Sequence, residues 1–234
     1  MQFKYRNSFQ QGPESKLVTK VLAQGLPFKK DLEIIQELEL PTGYPDILAI
    51  SFKKNSESFT NFDHFNKEHL KVLHYLYSFK VSSSEDISSR LLIKPKTVDK
   101  ILIDLLDAEL VWSKGDRFKT KALSKIFNVD KIIAIEAKIQ DWRSAVSQAI
   151  NNTWFASDSY ILIPEKKNNQ LIAEYAKNFG IGVIVSANDE SYIYSKAQAQ
   201  KLPVSYGSWF VNMGLVKQRE LKYARSQPSQ GCIS

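Results

Sequence analysis

The chain has 234 residues, 43% hydrophobic and 24% charged, with a net charge of +7; that leaves room for one core or a core plus a small satellite domain, and permits nucleic-acid binding without requiring it. The single cysteine, Cys232, excludes an intramolecular disulfide and a thiolate metal cluster. No stretch approaches the roughly 18–20 apolar residues of a bilayer span, and Met1-Gln2-Phe3-Lys4-Tyr5-Arg6 lacks the apolar core of a secretory signal, so a cytoplasmic protein with no membrane partner is expected.

Gly12-Pro13 opens the first predicted helix. Leu17, Val18, Val21 and Leu22 form its apolar stripe, and Gly25 and Pro27 end it. Leu32 to Leu40 is mixed in pattern but reads as a strand, because Pro41-Thr42-Gly43 follows as a turn. Ile47 to Ser51 is the next strand.

The character changes near residue 65. His69 to Phe79 carries Leu70, Leu73, Leu76 and Tyr77 on one face and reads as a helix. Ser82-Ser83-Ser84-Glu85-Asp86 offers an N-cap with acids in the first turn of a short helix through Ile87 to Leu91. Lys94-Pro95-Lys96-Thr97 starts a third helix, striped by Val98, Ile101, Leu102, Leu105 and Leu106. Val111–Ser113, Lys114-Gly115-Asp116 and Arg117–Thr120 read as strand, turn and strand. His69 and His74 are five apart, off the spacing of helical zinc ligands, so they and His64 read as surface or packing residues.

Ile132–Ile135 is then a strand, and Gln140 to Asn151 a helix with Trp142, Ala145, Val146 and Ala149 toward a sheet. Ser159–Pro164 is a continuous apolar strand, Asn169 to Phe179 a helix and Gly180–Ser186 another buried strand. This alternation predicts parallel pairing with right-handed crossovers. Ser191 to Tyr194 reads as a short edge strand, and the tail from Ser226 as disordered.

Two strings carry the chemistry: Tyr44-Pro45-Asp46-Ile47-Leu48-Ala49-Ile50, and Ile132-Ile133-Ala134-Ile135-Glu136-Ala137-Lys138. Each is an apolar strand with an acid at one end. Alternate strand residues face one side, so Glu136 and Lys138 point together. With Asp46 beside them, two carboxylates and an ammonium converge, which is equipment for a divalent metal and an activated water.

The strings resemble the two halves of the PD-(D/E)XK nuclease motif, and the chain is similar to that superfamily across its first 50 residues and the C-terminal core. The resemblance implies an α/β fold: a restriction-endonuclease-like mixed sheet flanked by helices. Three helices and a hairpin between the strings resemble a winged helix-turn-helix. The expected organisation is a nuclease-like core at 1–64 and 123–225, an inserted winged-helix domain at 65–122 and a flexible tail at 226–234. The insert accounts for the 90 positions between Asp46 and Glu136.

By the resemblance, Asp46, Glu136, Lys138 and Gln148 are the catalytic group. Asp46, Glu136, the backbone carbonyl of Ala137 and Glu14 would hold magnesium or manganese, with Glu39 as the alternative fourth acid. Lys138 would orient or deprotonate the water, or neutralise the phosphate; the sequence leaves these open. Gln148 lies ten residues after Lys138 on the next helix, similar to a glutamine that positions the water or the lysine in some branches.

The partner implied is DNA. Lys94, Lys96, Thr97 and Lys100 crowd the start of the third helix of the insert, and Lys114, Arg117, Lys119 and Lys121 lie on the hairpin, where a DNA reader needs charge. Asp99, Asp104, Asp107 and Glu109 along the same helix would repel DNA if they faced it. A restriction- or defence-type endonuclease is the leading role. A structure-specific repair or recombination nuclease is a second, and a catalytically silent DNA-binding or protein-interaction protein on the same scaffold a third. Double-strand cutting often needs two centres, which allows for a homodimer.

Overall fold

The computed structural model describes residues 12–28, 31–40, 43–53 and 65–215. Pro41 and Thr42 of the predicted turn, His64, Cys232 and the tail from Ser226 lie outside the described residues. In chain order the elements are α1 (Pro13–Gln24), β1 (Glu33–Gln36), β2 (Ile47–Phe52), α2 (Lys67–Phe79), β3 (Ser82–Ser83), α3 (Ser84–Leu91), α4 (Pro95–Asp107), β4 (Val111–Lys114), β5 (Arg117–Thr120), α5 (Leu123–Ile126), β6 (Val129–Ala137), α6 (Trp142–Asn152), β7 (Asp158–Pro164), α7 (Asn169–Lys177), β8 (Gly182–Ser186) and β9 (Ser191–Ser195). Residues 206–215 form a further helix, α8. Among the described residues no helix is long and apolar enough to cross a membrane.

The chain divides into two compact units. The larger contains 12–53 and 129–208 of the described residues. It is mixed α/β, built on a six-stranded sheet in the order β1-β2-β6-β7-β8-β9. β1, β2 and β6 pair antiparallel, β6, β7 and β8 pair parallel, and β9 closes the edge antiparallel. The parallel part is the one whose strands are joined by helices, as its sequence alternation requires.

Both faces of this sheet are covered, which is why Tyr160–Ile163 of β7 and Val183–Val185 of β8 are apolar. Ile133, Ile135, Tyr160, Leu162 and Ile184 meet Leu17, Val18 and Val21 of α1 on one face. Ile161, Ile163, Val183 and Val185 meet Ala145, Val146 and Ala149 of α6 and Ile172, Ala173 and Ala176 of α7 on the other. The pleat sends odd residues of β6 to the α1 face and even ones, Glu136 included, to the α6 face.

β1 is shorter than its predicted span. It stops at Gln36 because Glu37 adopts a left-handed backbone, φ 51°, which cannot continue a pleat. At Gly182 the ring of Tyr160 crosses the next strand so closely that a Cβ would lie 2.2 Å from it and 2.6 Å from the backbone nitrogen of Ala197. Gly182→Ala is therefore expected to destabilise the protein by roughly 1–3 kcal/mol, as overpacking does. Urea denaturation midpoints would measure it, and an unchanged midpoint would contradict the packing.

The smaller unit contains 65–128 and 209–215 of the described residues. α2, α3 and α4 pack with an antiparallel three-stranded sheet in the order β3-β5-β4. Asn66 caps α2, and Ser83 and Asp86 form a capping box at α3, as the serine-rich run with following acids predicts. Leu70, Leu73, Leu76, Ile87, Val98, Leu102 and Leu105 are buried. His69 is a packing residue: it stacks on Phe65 and bonds Asp104 at 2.9 Å.

Sequence patterning assigns 123–225 to the core, but residues 123–128 and 209–215 cluster with the smaller unit. The fully buried Trp209 packs edge-on against Phe127 and Tyr77, with centroids 5.1 and 6.2 Å away. Asn212 accepts from the backbone N–H of Asn128 at 2.7 Å and donates to the carbonyl of Ile126.

Candidate active site

The acids converge through strand register. β2 pairs with β6 at Ile47↔Ile135, so one further step sets Asp46 opposite Glu136 on the α6 face. β1 pairs with β2 at Gln36↔Ile47, so the same step sets Glu37 next to Asp46. The N–H of Glu37 donates to the carbonyl of Asp46 at 3.3 Å. Glu37, Asp46 and Glu136 therefore end three adjacent strands in one row.

Asp46 is fixed from the other side as well. Its Oδ2 accepts from the backbone N–H of Ala137 at 2.6 Å. Glu136 is 5% exposed, and its Oε1 accepts from Nδ2 of Asn152 at 2.7 Å. Lys138 follows β6 half-buried, its N–H donating to the carbonyl of Leu162 at 3.0 Å.

This setting raises the Glu136 carboxyl from 4.5 to about 8. Burial is the largest cause, and the charge of Asp46 comes next. The Asn152 amide and the Lys138 ammonium pull the other way, and Glu37 pushes it up again. Near neutral pH the buried Glu136 therefore keeps its proton beside the half-buried Asp46 and Lys138.

The sequence-predicted residues fall as follows. Asp46, Glu136 and Lys138 are brought together, with the backbone of Ala137 between them. Gln148 is exposed on α6, and the amide that reaches Glu136 is Asn152, four residues on and on the buried stripe. Glu14 lies in the first turn of α1, whose apolar residues pack on the opposite face of the sheet. Neither Glu14 nor Glu39 is among the main charges acting on Glu136, whereas Glu37 is.

Two functional candidates were thus missed. An asparagine completing the stripe of Ala145 and Ala149 signals a buried polar partner. Glu37 carries no such signal, because Glu33, Glu37 and Glu39 share one irregular stretch. Asn152→Ala would leave Glu136 buried without this donor. The cost expected is about 1–3 kcal/mol, read by thermal denaturation in EDTA. No loss would mean that water replaces the amide.

In the smaller unit, Lys94 precedes the first turn of α4, with Lys96 and Lys100 exposed and Thr97 half-buried beyond it. Lys114, Arg117 and Lys119 are exposed on the β4–β5 hairpin. Several nearby acids are engaged within the unit: Asp104 with His69, Asp99 with the Ser84 hydroxyl, and Glu109 with Lys121 at 2.9 Å.

Among the described residues no group of three or more His, Cys, Asp or Glu is arranged to hold a metal ion. The donor set at the strand ends still suits a hard cation. Magnesium takes one or two protein carboxylates and keeps several waters. Asp46, Glu136 and the carbonyl of Ala137 are oxygen donors, and a cation there would offset the burial and the Asp46 charge that raise Glu136.

No protein-family profile matches the chain, and no curated protein matches it. Among solved structures, a protein of unknown function from Silicibacter pomeroyi matches at 16% identity, covering 46% of this chain and 76% of its own, with a TM-score of 0.30. A likeness at that score carries no argument.

Proposed function

We propose that the larger unit is a magnesium- or manganese-dependent deoxyribonuclease of restriction-endonuclease-like fold, and the smaller a winged helix-turn-helix that contacts DNA. One observation carries this reading. Asp46 and Glu136 meet at the ends of neighbouring strands, where burial and then the Asp46 charge hold the proton on Glu136, with Lys138 on the same face. A fold that needed only stability would not bury one carboxyl against another.

Asp46, Glu136 and the Ala137 carbonyl would hold the cation. When bound, it polarises the phosphate and lowers the pKa of a water. Asn152 holds the Glu136 carboxyl in place, and the Ala137 N–H does the same for Asp46. Lys138 stands where it can orient an attacking water or meet the charge that builds on phosphorus. Burial of Glu136 strengthens the pull of these neighbours on its carboxyl.

The test is cleavage of supercoiled, branched and single-stranded DNA with magnesium or manganese. The wild type is expected to cut at least one of them, and Asp46→Asn to cut none and to lose the thermal shift produced by the cation. A wild type that cuts nothing under any of these conditions would sink the reading.

A further inference from the structure

DNA contact as proposed takes up the cations of the β4–β5 hairpin but leaves the exposed Trp112 among them unused. The register pairs Trp112 with Lys119 and Lys114 with Arg117. Alternation puts all four side chains on one side of the two strands, while Val111 and Thr120 turn inward and are buried. The face therefore carries one indole and three cations.

Trp112 is 41% exposed, a large apolar area for a residue on an ordered strand. The Nζ of Lys119 lies 5.8 Å from its ring centroid, within cation–π reach. Arg117 is partly neutralised, bonding Asp86 at 3.2 Å and lying 3.9 Å from Asp116. Lys114 and Lys119 thus supply most of the charge on the face that carries the indole, Lys119 over its ring.

We infer that this hairpin face is a stacking platform for single-stranded DNA, with Trp112 taking an unpaired base and Lys114 and Lys119 taking the flanking phosphates. Duplex DNA offers phosphates to lysines but hides the faces of its bases inside the stack. Only an unpaired base presents a π-face that an indole can cover. A purely electrostatic grip on duplex would have no use for an exposed tryptophan.

This inference rests on the deoxyribonuclease reading for its choice of DNA, and it refines the substrate to one with an unpaired segment. Its test is separable because binding is read in EDTA, where no cutting occurs. Fluorescence anisotropy of labelled oligo-dT, against a duplex of equal length, measures affinity as a function of salt. The full-length wild type is expected to prefer oligo-dT. Trp112→Ala should weaken that binding about 10–100-fold, the effect of one lost stacking contact. Its salt slope should be unchanged, and Trp112→Phe should restore most of the affinity.

Lys114→Ala and Lys119→Ala should each flatten the salt slope by about 0.7, the value per single-strand phosphate. All four side chains lie at the surface, so these variants keep the buried core. Equal binding of oligo-dT by the wild type and Trp112→Ala would overturn the inference. A preference for duplex, or no binding of oligo-dT, would do the same. A chain that binds oligo-dT in this way but cuts no DNA would instead sink the nuclease reading and leave the platform standing.

Discussion

Glu136→Gln is expected to stabilise the cation-free protein at alkaline pH while removing its ability to cut DNA. The Glu136 carboxyl is raised from 4.5 to about 8 in the folded chain. A raised carboxyl keeps its proton in the folded state after the unfolded state has lost it. Between those two values the unfolded chain binds fewer protons, so stability falls as pH rises. The penalty is absent below about 4.5 and complete above about 8. At about 1.4 kcal/mol per unit, a shift of this size amounts to roughly 5 kcal/mol at the upper end.

Glutamine keeps the shape of the side chain and an oxygen for the Asn152 amide, but carries no charge. The variant should therefore show a nearly flat profile of melting temperature against pH in EDTA, lying above the wild type at pH 8–9 and meeting it near pH 5. Magnesium should raise the wild type toward the variant and leave the variant where it is. Parallel profiles in EDTA would show that Glu136 is not the source of the strain. The pairing of a gain in stability with a loss of activity is what a functional carboxylate predicts, since such sites trade one for the other.

The six strands and their flanking helices were largely legible, because β6, β7 and β8 are apolar runs and α6 and α7 carry clean helical stripes. Boundaries were less so. Nothing in the local pattern ends β1 at Gln36, because glutamate has no propensity for the left-handed backbone that Glu37 adopts. α8 was missed because Trp209, Phe210, Val211, Met213 and Leu215 are apolar around most of the helix, and a helix buried on several sides shows no amphipathic period. Within the site, residues adjacent in sequence to the strand ends were found: Asp46, Glu136 and Lys138. Asn152 and Glu37 arrive through tertiary packing, one from a helix and one from a neighbouring strand, so no motif spacing specifies them.

Lys138→Ala is expected to lower cleavage by about 10²–10⁴-fold, the usual worth of a positioned proton-transfer or charge-stabilising group. The magnesium-induced thermal shift should survive, because Asp46, Glu136 and the Ala137 carbonyl remain. Loss of that shift along with cleavage would make Lys138 a structural part of the cation site. The Lys138 ammonium also lowers the Glu136 carboxyl. Its removal should push that carboxyl further up, so the pH at which magnesium stabilises the protein moves to higher values.

Lys138→Arg separates the two chemical roles. Arginine keeps the positive charge but stays protonated throughout the accessible range, so it cannot accept a proton from water. If Lys138 acts by charge, Lys138→Arg should retain much of the activity and keep the wild-type pH dependence. If it acts as a base, Lys138→Arg should be as inactive as Lys138→Ala while still restoring the magnesium shift to its wild-type pH. The second result would assign proton transfer to Lys138, and leave Asp46 and Glu136 to hold the cation.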